Sequence, residues 1–269
     1  MKKIEIMGIV NVTSDSFYDG GKYISTNQAI EHGIKLWEEG ADILDIGGES
    51  SRPGALPIDE QEELRRVIPV VAALALKGIR ISVDTWRAKV MAESIAAGAE
   101  IINDITALEG DSEAVSLIAK SKAKIILMHM QGRPSSMQLS PSYLSAPLEV
   151  KNYLCKRIKF CQDAGITKEK IVIDPGIGFG KTLEHNLQIM ANIGLLQELG
   201  CKILVGASRK SFISMQCGNV PPAERLPGSL IAAAYLADKG AEILRVHDVK
   251  ETKQAIEIWQ AIRVNESYF

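Results

Sequence analysis

Five side chains of this chain could bind an anion: Arg52, Arg209, Lys210, Arg245 and His247 each follow a short apolar run. Guanidinium forks fit phosphate oxygens, so convergence of these groups would make a focused anion site. Pairing of one or two of them with Asp15, Glu49 or Asp248 is the bland alternative. Asp84, Asn103 and Asp174 form a second group, each closing an apolar run of its own. Ionised carboxylates only accept hydrogen bonds, so two of them with an amide suit a flat heterocycle that bears N–H groups. A metal triad is the rival chemistry. Local roles compete as well, with Asp84 as a cap for the helix after Thr85, and Asn103 and Asp174 as turn formers. The third feature, Asp174-Pro-Gly-Ile-Gly-Phe-Gly-Lys181, lacks the spacing and the Lys-Ser/Thr ending of a P-loop. Its glycines read instead as close approach of backbone to a planar ligand, with Phe179 as an apolar cover. His129 reads as a satisfied rim histidine ahead of a catalytic one, and His32 and His185 lie in helical stretches with no chemistry expected of them.

These groups must be held by the apolar runs that precede them. Strands are predicted at Ile4–Val10, Ile43–Ile46, Ile79–Val83, Ile101–Asn103, Lys124–His129, Ile171–Ile173, Lys202–Val205 and Ile243–Val246. Helical periods fill the gaps at Asn27–Glu39, Asp59–Leu76, Arg87–Ala97, Ser112–Lys120, Pro147–Ala164, Leu183–Leu199, Pro227–Lys239 and Val249–Val264. Asp59 followed by Glu62 predicts a capping box, while Gly40, Gly78, Gly98, Gly165, Gly200 and Gly240 sit where helices should end. The phrases EEGADILDI, AAGAEIIND and DKGAEILRV repeat one helix-glycine-strand grammar. Such alternation without a linker predicts an α/β fold, a single (βα)8 TIM barrel spanning 1–269 as one domain. Ligands of that fold bind where the strands end, which is where the polar groups stand.

Composition narrows the partners. The 269 residues carry 31 Lys and Arg against 33 Asp and Glu, a formal net charge of −2, so no global field attracts nucleic acid. The longest apolar runs fall far short of the roughly 20 residues of a membrane span, and the start has no signal-peptide segment. Cys155, Cys161, Cys201 and Cys217 show neither metal-ligand spacing nor a disulfide framework, and a cytoplasmic protein with free thiols is expected.

Eight segments in order now define a resemblance: GIVNVTSDSFYDGG at 8–21, DIGGESSRPGA at 45–55, SVDT at 82–85, IND at 102–104, MHMQGRPSSMQ at 128–138, DPGIGFGK at 174–181, GASRKSFI at 206–213 and RVHDV at 245–249. Together they resemble the dihydropteroate synthase family over essentially the whole chain. The resemblance implies a transferase with long mobile loops after the first two strands. It would condense 6-hydroxymethyl-7,8-dihydropterin pyrophosphate with p-aminobenzoate, giving 7,8-dihydropteroate and pyrophosphate with help from Mg²⁺. By position, Asp84, Asn103, Met128, Asp174, Phe179, Gly206 and Lys210 match the family's pterin site, and Asn11 its Mg²⁺ ligand. Asn11, Arg52, Arg245 and His247 match the pyrophosphate site; Phe17, Ser51, Arg52, Pro53, Lys210 and Ser211 match the p-aminobenzoate pocket. The catalytic set implied is Asp84, Arg52, Lys210, Arg245 and His247.

Two departures stand out: Ser14 where the family usually has Pro, and Ser51 where it usually has Thr. A looser p-aminobenzoate pocket with altered discrimination against sulfonamide mimics is the expectation they raise. A pterin-binding methyltransferase is the nearest enzyme alternative, although Arg52-Pro53 and Ser208-Arg209-Lys210 suit a diphosphate that methyl transfer lacks. A catalytically silent pterin-binding barrel is the other. The resemblance also implies a homodimer through the last helices, and the apolar Ala255, Ile256, Ile258, Trp259 and Ile262 permit either that or core packing.

Overall fold

β-Branched and leucine-rich runs of four to seven residues form eight strands: β1 (Glu5–Asn11), β2 (Ile43–Gly47), β3 (Ile81–Asp84), β4 (Ile101–Asp104), β5 (Lys124–Met128), β6 (Ile171–Asp174), β7 (Lys202–Val205) and β8 (Ile243–Val246). In the computed structural model, which describes residues 3–12, 26–50 and 58–265, neighbouring strands pair in parallel and β8 returns to β1. A closed barrel results, as the alternation predicted. The helices between strands are α1 (Thr26–Glu38), α2 (Glu60–Ala75), α3 (Ala88–Ala96), α4 (Ala114–Lys120), α5 (Ala146–Asp163), α6 (Leu183–Ala191), α7 (Ser211–Gln216), α8 (Leu226–Asp238) and α9 (Val249–Asn265). None among the described residues is long and apolar enough to cross a membrane.

The repeated glycine phrase has a specific physical cause. After α1, α3 and α8, Gly40, Gly98 and Gly240 adopt φ of 103°, 111° and 108°, which only glycine tolerates freely. The next residue then turns its N–H back to the helix: Ala41 to Leu36 O at 3.0 Å, Ala99 to Ser94 O at 2.9 Å and Ala241 to Leu236 O at 2.9 Å. This Schellman closure satisfies carbonyls that would otherwise be orphaned, and buries each alanine as the chain enters the next strand.

Three local expectations need correction. Asp59 does cap α2, accepting from Glu62 N at 2.8 Å, but the Glu62 carboxylate pairs with Arg65 and Arg66 instead of returning to the cap. The predicted helix 183–199 divides into α6 and a 3-10 turn over Ile193–Leu199. Gly194 beside the break weakens any continuous helix there. α7 is additional, and at six residues it is too short for periodicity to reveal.

Apolar side chains fill two layers. The larger lies between strands and helices, while Met7, Ile43, Ile101, Ile126, Val172, Leu204 and Ile243 fill the barrel interior. Side chains alternate faces along a strand, so the residue two further on points inward as well. That step leads from Ile43 to Asp45, Ile101 to Asn103, Ile126 to Met128, Val172 to Asp174, Leu204 to Gly206 and Ile243 to Arg245. A polar tier therefore stands directly on an apolar floor.

Candidate active site

Strand register aligns the polar tier. Asn11 pairs with Gly47, Gly47 with Asp84, and Asp84 with Asn103, while Met128 pairs with Asp174 across the barrel mouth. Asp84 is not a helix cap: α3 starts at Ala88, whose N–H is held by Asp111 Oδ2 at 2.9 Å. Its carboxylate instead accepts from Arg245 Nη2 at 3.1 Å. Asp174 is a turn former, its Oδ1 accepting from Gly176 N at 2.7 Å, and the residue also faces inward.

Asp45 is the residue that sequence reasoning missed. Completely buried, it accepts from Arg245 Nε at 2.6 Å and Asn103 Nδ2 at 3.0 Å. One carboxylate thus orients two members of the tier. A detectable signal existed, because a charge inside the run Ile-Leu-Asp-Ile can be buried only if paired. Arg245, expected to face a leaving anion, consequently has two of its nitrogens committed to Asp45 and Asp84.

Electrostatics follow from this crowding. Burial, reinforced by Asp45, Glu63 and Asp104, pushes the Asp84 pKa up to about 7 against the pull of Arg245. Burial pushes Asp174 upward too, opposed by Lys210. For Lys210, burial lowers the pKa to about 8 even though Asp174 opposes it. Its amine lies 4.6 Å from the centre of the Phe179 ring and donates to Ile177 O. Arg245 keeps a raised pKa: burial disfavours its charge, but Asp45 and Asp84 outweigh burial.

The remaining cations divide. Arg209 follows the bland alternative, with Nε 2.8 Å and Nη2 2.6 Å from Asp248 carboxylate oxygens, so it fixes the mouth and is not left to an anion. His247 Nδ1 meets Ser208 Oγ at 3.1 Å. Ser211 begins α7, exposed, directly after Lys210. His129 proves satisfied, its Nδ1 3.0 Å from Lys181 Nζ, and burial lowers its pKa to about 3. His185 caps α6 with Thr182. Asn11 ends β1, and Met128 and Gly206 are buried walls of the mouth. Phe17, Ser51, Arg52 and Pro53, like Ser14, Asp15 and both expected mobile loops, lie outside the described residues. Arg87, another residue missed, joins the flanks of 51–57: it donates to Glu49 at 2.6 Å, to Ile58 O at 2.7 Å and to Glu63.

Two of the loop glycines have a structural purpose. A Cβ on Gly176 would lie 2.0 Å from His129 O, and one on Gly180 would lie 2.2 Å from Gln131 O, so both admit the neighbouring backbone. A Cβ on Gly178 would instead lie 3.2 Å from the Lys210 side chain. All four cysteines are free, Cys161 and Cys201 among them buried.

A closed barrel whose mouth presents carboxylates, an amide and buried cations on an apolar floor defines an enzyme of the pterin-binding class, and the family described as "Pterin binding enzyme" matches residues 7–247. The dihydropteroate synthase of Escherichia coli strain K12 is 48% identical over 257 residues, covering 95% of this chain and 90% of that one. The structure of Yersinia pestis dihydropteroate synthase with a sulfonamide drug complex superposes with TM-score 0.93 at 46% identity, over 97% and 95% of the two chains. That of the Xanthomonas albilineans enzyme with 4-aminobenzoic acid gives 0.91 at 45%, over 97% and 93%. The chain belongs to the dihydropteroate synthase family and is a transferase. The methyltransferase and silent-barrel alternatives give way to this.

Proposed function

We propose that the dihydropterin lies on the apolar floor with its N–H edge toward Asp84, Asn103 and Asp174, bounded by Met128, Phe179, Gly206 and Lys210. Its diphosphate extends toward Asn11, Arg52, Arg245 and His247. p-Aminobenzoate enters above, among Phe17, Ser51, Arg52, Pro53, Lys210 and Ser211. The observation that carries this arrangement is the inward polar tier set by register, in which one Arg245 guanidinium bridges Asp45 and Asp84.

The chemistry suits such a tier. Loss of diphosphate from the pterin methylene leaves positive charge on the ring, beside Asp84, and negative charge on the departing group, beside Arg245 and His247. A carboxylate that is costly to ionise in the empty mouth gains most when a cation forms next to it. The weakly basic aniline nitrogen then attacks the methylene carbon and its proton leaves to solvent, so no nucleophile dyad is needed.

Magnesium fits the oxygen chemistry at the end of β1. Asn11 Oδ1 lies 3.8 Å from the position of a Cβ on Gly47 and offers a hard oxygen at the mouth, with Asp84 Oδ2 on the same glycine and held by Arg245. Asn11 would hold the ion, which when bound offsets charge on the diphosphate. Pyrophosphate release that requires both p-aminobenzoate and Mg²⁺ is the test. Absence of that release with authentic substrates would overturn the assignment.

A pH profile checks the tier directly. Asp84 must be ionised and Lys210 protonated, so kcat/KM is expected to fall below about pH 7 and above about pH 8. Lys210→Arg, which stays charged, should remove the alkaline limb while leaving the acidic one. An unchanged alkaline limb would assign it elsewhere.

The same reading extends to the chain as a whole: one domain from 1 to 269, cytoplasmic, and paired as a homodimer. Ile231 and Tyr235 of α8 and Ile258 and Ile262 of α9 are exposed, while Ile256 is buried and Trp259 packs on the core. Ile256 and Trp259 thus serve core packing, and the exposed Ile258 and Ile262 are the part of the α9 face that remains for the proposed dimer.

A further inference from the structure

Lys181 closes the loop that follows β6, yet it is only 2% exposed. An amine that deep must be hydrogen-bonded to persist. Its Nζ lies 2.8 Å from Phe179 O, 3.3 Å from His129 O and 3.0 Å from His129 Nδ1. Among the described residues no carboxylate forms a salt bridge with it; Asp174 acts on it only through space. Ion pairing therefore does not explain why a lysine is buried here.

The geometry of the two loops does. Gly176 and Gly180 bring the β6 loop into backbone contact with residues 129–131 after β5, and the Lys181 amine closes the gap between them. Both protonation states serve. An ammonium donates to all three acceptors, whereas a neutral amine donates to the two carbonyls and accepts from a protonated Nδ1. Phe179, held by its carbonyl, carries the Lys210 amine over its ring.

We propose that Lys181 is a positioning residue for the pterin slot, clamping the β5 and β6 loops so that the Phe179 ring and the Lys210 amine face the substrate. It acts through Phe179 and touches no substrate itself. The inference rests on the reading of Asp174, Phe179 and Lys210 as pterin contacts.

Lys181→Met keeps side-chain length and removes the donors. KM for the pterin diphosphate should rise about 10-fold and KM for p-aminobenzoate by clearly less, because Phe179 lines the pterin slot alone whereas Lys210 reaches both pockets. His129→Leu removes one acceptor and keeps the β5 carbonyl; a smaller rise is expected, and the double variant should add little beyond Lys181→Met. If Lys181→Met does not fold, His129→Leu carries the test. Equal rises in both KM values, or no rise in either, would overturn the positioning role. Asp174→Asn separates the two levels: if it too leaves pterin KM unchanged, the slot itself is wrongly assigned. If it alone raises that KM, only the role of Lys181 fails.

Discussion

Asp84→Asn is expected to lower kcat by about 10³-fold, the upper end of what removal of one preorganised electrostatic group costs. The substitution is nearly isosteric, so the barrel should remain intact. Neutralising Asp84 also relieves its repulsion with Asp45, and the thermal midpoint should fall little or rise. Loss of rate without loss of fold is the diagnostic combination. What disappears is a carboxylate beside the ring at the moment diphosphate leaves; an amide offers only a dipole there. Steady-state pyrophosphate release together with a melting curve checks both halves. A kcat within threefold of the parent enzyme would sink the cation-stabilising role.

Arg245→Met acts on stability as strongly as on rate. The guanidinium is hydrogen-bonded to Asp45 and Asp84, and its removal leaves two inward carboxylates without their cation. Breaking a buried pair from one side costs about 3–5 kcal/mol, read as a lower urea midpoint. Asp84, already raised to about 7, should titrate higher still, so any residual activity should have its acidic limb displaced to higher pH. Sign matters here: Arg245 favours the ionised carboxyl, and without it protonation becomes easier. Asp45→Asn in the same chain should recover part of the lost stability, since it removes one of the two orphaned carboxylates. Unaltered midpoints in Arg245→Met would show that the bridge contributes nothing.

Much of this arrangement was legible because it depends on local physics. Continuous apolar strands and glycine-terminated helices are written in consecutive residues, and Asp84, Asn103 and Asp174 could be placed at the mouth from strand ends alone. Asp45 was hidden because its partners Asn103 and Arg245 lie 58 and 200 residues away. Asp248 was legible as a possible partner for the rim cations, but only the structure shows that Arg209, 39 residues before it, is the one that it takes. Lys181 was visible only as the end of a glycine-rich phrase; its burial depends on loops from two different strands. Pairing across the barrel, unlike periodicity, leaves no mark in a single segment.

The step from apolar floor to polar tier has a bearing on how the chain avoids misfolding. Slipping β2 or β6 by one residue would turn Asp45 or Asp174 outward, into the apolar layer beneath the helices. Each wrong alignment would strand a carboxylate away from its present partners. The inward polar tier thus also acts as a set of proofreading marks, rejecting incorrect strand alignments before any substrate is met.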